Sequence, residues 1–163
     1  MSTPVIYSDV FDRLERDQVR YVVVSGVAVV LHGYVRPVAD LDIVIDRSPD
    51  EARRAMMTLM ASGFVPTIPL PLNALTVLRM FDRLNREVDV FVRYYIPFEE
   101  LLSASEMVCV SDNMVRVASL KHVIQAKRIT RRPHDLQDIE KLLSVAQPGR
   151  RDQETDEQED EGE

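Results

Sequence analysis

The sequence is poor in the residues that cross-link a chain or anchor it in a membrane. Among 163 residues there is one cysteine, Cys109, which excludes an intrachain disulfide and agrees with a reducing, cytoplasmic setting. Cys109 stands in the apolar alternation Met107 to Val110, where a buried core cysteine is expected rather than a nucleophile. No apolar run approaches the roughly 20 residues needed to cross a bilayer. The chain does not open on a basic segment followed by an apolar run, so no signal peptide is expected either. Lysine is scarce, occurring only as Lys121, Lys127 and Lys141, and internal repeats are absent.

The shortage of base is local. The formal net charge is −7, yet residues 152–163 hold eight acids and no base, so residues 1–151 carry +1. The body of the chain is therefore nearly neutral, and its acidic balance does not argue against an anionic substrate. The acidic run cannot form a core and is expected to be disordered. With 45% hydrophobic residues, the rest suffices for one real core. The expected organisation is a single domain over residues 1–147 and an acidic tail over 148–163.

What is present concentrates between Tyr21 and Asp46. An apolar, β-rich run (Tyr21 to Val24) meets Ser25-Gly26, then a helix-like segment from Val27 to His32 closed by Gly33. A turn with Arg36 and Pro37 leads to Asp40-Leu41-Asp42, which opens a second apolar run, Ile43 to Ile45. In a strand alternate side chains share a face, so Asp40 and Asp42 project together while Leu41 faces the core. Paired carboxylates repel each other unless a cation sits between them, and paired carboxylates with substrate phosphates are the usual ligands of Mg²⁺. Ser25-Gly26 before a helix start aims backbone N–H groups at an anion. A phosphate cradle beside a metal-binding acid pair reads as phosphoryl or nucleotidyl transfer.

The remaining elements follow from periodicity and turn signals. Ile6 to Gln18 reads as an amphipathic helix burying Val10, Phe11 and Leu14. Ser48-Pro49-Asp50-Glu51 is a helix start with Ser as N-cap and Pro at N1. That helix should reach Ala61, stop at Gly63, and use Met56, Met57, Leu59 and Met60 as gap-filling core. After the proline-rich stretch Pro66 to Asn73, Leu75 to Phe81 and Arg86 to Tyr94 read as two strands joined at Asp82 to Asn85. Glu87 and Asp89 share one face of the second strand. An unpaired carboxylate at Asp89 would be costly in so buried a strand, so a partner is expected, and the Asp40/Asp42 cation is the economical one. A short helix (Pro97 to Ser103), a hairpin across Asp112-Asn113 and a helix from Ser119 to Thr130 follow. Lys127 follows that helix's apolar face and is expected to lean inward. Asp135 and Asp138 sit in the first turn of the last helix, where the helix dipole favours acids.

Ser25-Gly26, His32-Gly33, Arg36 and Asp40-Leu41-Asp42 together resemble the nucleotidyltransferase superfamily, most closely its bacterial AbiEii-like group, which includes toxins of toxin–antitoxin pairs. Ser25 stands where the first glycine is usual, and Val38 where a threonine often precedes the acid pair. The resemblance implies an α/β (α+β) fold, a mixed twisted sheet flanked by helices with two C-terminal helices closing one side of a cleft. It implies Asp40, Asp42 and Asp89 as catalytic, metal-holding residues for Mg²⁺ or Mn²⁺, with Asp89 as ligand or as general base. Glu87 is the competitor for that last role. Ser25, Gly26, Arg36 and Lys127 would serve a nucleoside triphosphate. The acceptor would be a hydroxyl of RNA (tRNA), of a protein or of a small molecule, and an antitoxin would be a partner. The alternatives are a nucleotide-binding module without turnover and a partner-binding member of a toxin–antitoxin pair.

Overall fold

The computed structural model of the protein describes residues 3–67 and 76–146. The expected tail and the proline-rich loop beyond Thr67 lie outside the described residues. Among the described residues seven strands form one mixed sheet. Its centre is the apolar pair read from the sequence, β1 (Tyr21–Val24) antiparallel to β2 (Asp40–Ile45). The β1 residues are all buried, and so are Leu41 and Ile43 to Ile45, as strands sandwiched between two layers must be. Beside β2 runs β5 (Glu87–Phe91), parallel to it, then antiparallel β4 (Val77–Phe81) and the two-residue β3 (Val65–Pro66). On the other flank β7 (Asn113–Val117) pairs parallel with β1, and β6 (Glu106–Val110) forms the edge.

Helices α1 (Thr3–Ile6), α2 (Ser8–Arg16), α3 (Ser25–Leu31), α4 (Pro49–Ala61), α5 (Phe98–Ala104), α6 (Leu120–Thr130) and α7 (Pro133–Ala146) complete the described chain. The helix expected over Ile6 to Gln18 is α2, trimmed at both ends, and the one-turn α1 precedes it across Tyr7. The Tyr7 ring is buried and its hydroxyl donates to the Glu87 carbonyl at 2.9 Å, tying the helix start to β5. As expected, α2 buries Val10, Phe11 and Leu14. Helix α4 starts with Pro at N1 and ends before Gly63 (φ +97°) as read, but the Ser48 side chain makes no cap; the Ser48 N–H donates to the Asp46 carboxylate at 2.9 Å. Met57 and Met60 are exposed rather than core, because Leu59 and Ala55 occupy the buried stripe. Cys109 is exposed as well, since the edge strand β6 is covered on one side only.

Candidate active site

The strand alternation holds in three dimensions. Parallel register sets Asp40 opposite Glu87 and Asp42 opposite Asp89, so the acid pair on β2 gains a third member from β5. Asp40, Asp42 and Asp89 each offer an oxygen within 4.8 Å of the others. One Asp42 oxygen, Oδ1, is buried with no hydrogen-bond partner. Burial and the neighbouring Asp40 push the Asp42 carboxyl up to about 8. Burial likewise raises Asp89 against the pull of Arg79, and burial followed by Asp89 lifts Glu87 to about 7. An orphaned carboxylate oxygen inside an excess of negative charge is what a hard divalent cation satisfies. The donor set fits such an ion.

The triad opens into a cleft of about 470 Å³ lined on the helical side by Ala126, Lys127, Thr130 and Arg132. Helix α6 and the turn after it thus close this side, whereas α7, expected to share that task, contributes no lining residue and packs behind Lys127. Lys127 leans inward as expected; its Nζ lies 3.2 Å from Asp135 and 2.9 Å from Asp138. Those two acids are fully buried, so the dipole of α7 is not what explains them. Asp135 also accepts from Thr130 at 2.6 Å and from Arg132 at 2.9 Å. Burial pushes its carboxyl up, but these bonds outweigh it and hold the group well below the usual carboxylate range. Arg36 forks onto Asp138 at 2.9 and 2.7 Å. The structure therefore gathers Arg36 behind Lys127 and outside the cleft lining.

Ser25 lines the cleft with φ +56°, a conformation for which glycine has no steric cost, at the position where the resembling family has glycine. Its hydroxyl offsets part of the upward push that burial exerts on the Asp42 carboxyl and on Tyr94. Gly26 is not part of the lining. A Cβ there would lie 2.7 Å from Val38 Cγ1, so the missing side chain makes room for the turn that delivers Asp40. Gly26→Ala is expected to lower stability by about 1–3 kcal/mol through overpacking, measured by urea denaturation; an unchanged midpoint would show that the turn yields freely.

Arg79, Tyr94, Tyr95 and Thr130 line the cleft without having been singled out from the sequence. For Arg79 a signal existed. A turn at Asp82 to Asn85 brings Arg79 opposite Asp89 in the β4–β5 register, and its guanidinium bonds that carboxylate at 3.1 and 3.4 Å. The partner that Asp89 demanded is thus a protein cation. The tyrosines follow the end of β5, where no periodicity reports direction.

No protein-family profile and no curated protein matches the sequence. Solved structures do match. TM1012 of Thermotoga maritima, assigned as a nucleotidyltransferase, superposes with a TM-score of 0.63 at 17% identity, covering 88% of this chain and 96% of that one. The lincosamide antibiotic adenylyltransferase LnuA, solved with lincomycin bound, gives 0.61 at 15% identity over 89% and 98%. An antigenic nucleotidyltransferase-like protein from Paracoccidioides brasiliensis gives 0.60 at 16% identity over 89% and 78%. None of these matches exceeds 17% identity, and what they share with the chain is its architecture. The chain has the nucleotidyltransferase-type fold, with three clustered carboxylates where the sheet meets the C-terminal helices.

Proposed function

We propose that the cleft transfers a nucleoside monophosphate from a nucleoside triphosphate to a hydroxyl acceptor, with Asp40, Asp42 and Asp89 holding one or two Mg²⁺ or Mn²⁺ ions. The observation that carries this reading is the three-carboxylate cluster with its orphaned Asp42 oxygen, open to the cleft of a nucleotidyltransferase-type fold. Bound there, a divalent cation would neutralise the charge that builds on the phosphate oxygens. Lys127 presents an ammonium at the cleft wall, and Asp135 and Asp138 hold it in place. Arg36 acts through Asp138 and is a positioning residue. Ser25 and the backbone at the start of α3 face the polyphosphate end. Phe91 at the end of β5 and Tyr94 and Tyr95 just beyond it line the cleft and offer the acceptor an aromatic wall. In the reaction the acceptor oxygen bonds to the α-phosphorus, the bridge to the β-phosphate breaks, and pyrophosphate leaves with the bridging oxygen. The acceptor's proton passes to the Asp89 carboxylate.

Nucleotides labelled at the α-phosphate, incubated with total RNA, with lysate protein and with small hydroxyl compounds, test the proposal and sort the acceptors. Asp89→Asn should cut incorporation by roughly 10²–10⁴-fold, the usual worth of a general base, while nucleotide binding falls only modestly. Labelling that equals wild type would move the proton-accepting role to Glu87. The Ser25-Gly26, His32-Gly33 and Arg36 pattern supports a place beside the AbiEii-like toxins. Growth arrest on expression in bacteria, relieved by Asp42→Asn and by a small neighbouring protein, would be the cellular signature. One observation favours a second reading, a nucleotide-binding module without turnover: Ser25 sets a side chain where the family keeps the cradle bare. Calorimetric binding of a triphosphate with no labelling by any of the four nucleotides would select it.

A further inference from the structure

The carboxylate cluster carries its own cation. Four acids share one face of the β2–β5 pair, Asp40, Asp42, Glu87 and Asp89, and Arg79 is the basic side chain bonded to them among the described residues. Its Nε donates to Asp89 Oδ1 at 3.1 Å and its Nη2 to Oδ2 at 3.4 Å, and Nε lies 3.4 Å from Glu87. Both oxygens of the third metal-holding carboxylate are thereby engaged. The pair is lopsided: the Asp89 side chain is 5% exposed and the Arg79 side chain 57%. The contrast with the helical wall is sharp. There the buried acids Asp135 and Asp138 are held by Lys127, Arg36 and Arg132 in contacts of 2.7–3.2 Å, several of them sequestered from water. Arg79 is fixed through its backbone, whose carbonyl accepts from the Thr67 N–H at 3.1 Å and hydroxyl at 3.2 Å, while the polar contacts of its head among the described residues go to Asp89 and Glu87. It can leave Asp89 by rotating its side chain, with no backbone change.

Resting on the function proposed above, we propose that Arg79 is an exchangeable counter-ion: it holds Asp89 in the cation-free protein and gives it up when a divalent ion takes that carboxylate. A guanidinium and a divalent cation compete for the same oxygens, and they repel each other across a few ångströms. Arg79 thus restrains the cluster from flying apart when empty and tunes how readily it loads. A static structural salt bridge would instead stay closed on loading.

Titration calorimetry of MnCl₂ into the full chain tests this without reference to turnover. Arg79→Met should bind Mn²⁺ about twofold to fivefold more tightly, the range expected for losing a half-exposed competing pair. Arg79→Lys, which keeps the charge but loses the fork, should fall between that variant and wild type. Arg83→Met, which deletes the same charge from the neighbouring turn, should bind as wild type. In ¹⁵N NMR spectra, the Arg79 Nε–H signal, identified by its loss in Arg79→Lys, should shift as Mg²⁺ is added. Unchanged or weaker Mn²⁺ binding by Arg79→Met, an equal gain in Arg83→Met, or an Nε–H signal unmoved at saturating Mg²⁺ would each overturn the proposal. Failure of wild type to bind Mn²⁺ at all would overturn the metal assignment of the triad itself, a distinguishable result.

Discussion

Without divalent cations, Asp42→Asn should melt higher than wild type at pH 8 and no longer respond to Mg²⁺. The Asp42 carboxyl, ordinarily near 3.8, is raised to about 8 by burial and by Asp40. A group whose pKa is raised on folding contributes stability that is complete below its unfolded pKa and is lost as pH rises through the folded one. The cation-free protein should therefore lose stability between about pH 4 and 8, by on the order of a few kcal/mol. In melting temperature that is roughly 5–10 °C for a chain of this length. An asparagine carries no such charge, so the variant should show a flatter profile over the same window. Saturating Mg²⁺ should flatten the wild-type profile from the other direction, since an ion at 100 times its dissociation constant adds about 2.7 kcal/mol. Melting curves from pH 4 to 9, with and without Mg²⁺, for both proteins make the comparison. A wild-type profile that is flat without cations, or an Asp42→Asn variant that keeps the full Mg²⁺ response, would refute the assignment. The variant should also lose nucleotidyl transfer, so the same side chain that destabilises the empty fold would be the one the activity needs.

Asp138→Ala should be among the most destabilising single changes in the chain. Asp138 is 2% exposed and receives a two-pronged bond from Arg36 and an ion pair from Lys127. Deleting one partner of a buried ion pair costs about 3–5 kcal/mol, because the charges left behind are neither hydrated nor compensated. If the acid merely complemented the α7 dipole, the loss would be about 0.3–1 kcal/mol, so urea denaturation separates the two accounts cleanly. Asp138→Asn keeps the shape and an acceptor oxygen and should cost less. A loss below about 1 kcal/mol for the alanine variant would mean that the network is hydrated in solution. Because Lys127 reaches the cleft from between Asp135 and Asp138, the variant should also weaken triphosphate binding.

These two sites show where local sequence is informative and where it is not. The same-face placement of Asp40 and Asp42 follows from the two-residue period of a strand and needs no neighbour. The inward lean of Lys127 follows from its place behind Leu120, Val123 and Ile124 on one helical face. The hairpins at Asp82 to Asn85 and near Asp112 follow from turn chemistry, and with them came most of the sheet. The arrival of Asp89 at the acid pair was expected from the cost of leaving a carboxylate alone in a buried strand. What no local rule contains is pairing between distant segments. Arg36 and Asp138 lie 102 residues apart in sequence yet share a fork, and the Tyr7 hydroxyl reaches a carbonyl on β5 80 residues away. Exposure of Met57, Met60 and Cys109 depended on which side of α4 and of the edge strand met the core. Sequence alone determined the sheet-and-helix order, the acid pair and its demand for a cation, because strand period, turns and desolvation act over a few residues. Tertiary structure alone decided who answers the most distant charge, Arg36 together with Lys127 for Asp138, because a buried charge takes whichever opposite charge the packing brings within 3 or 4 Å.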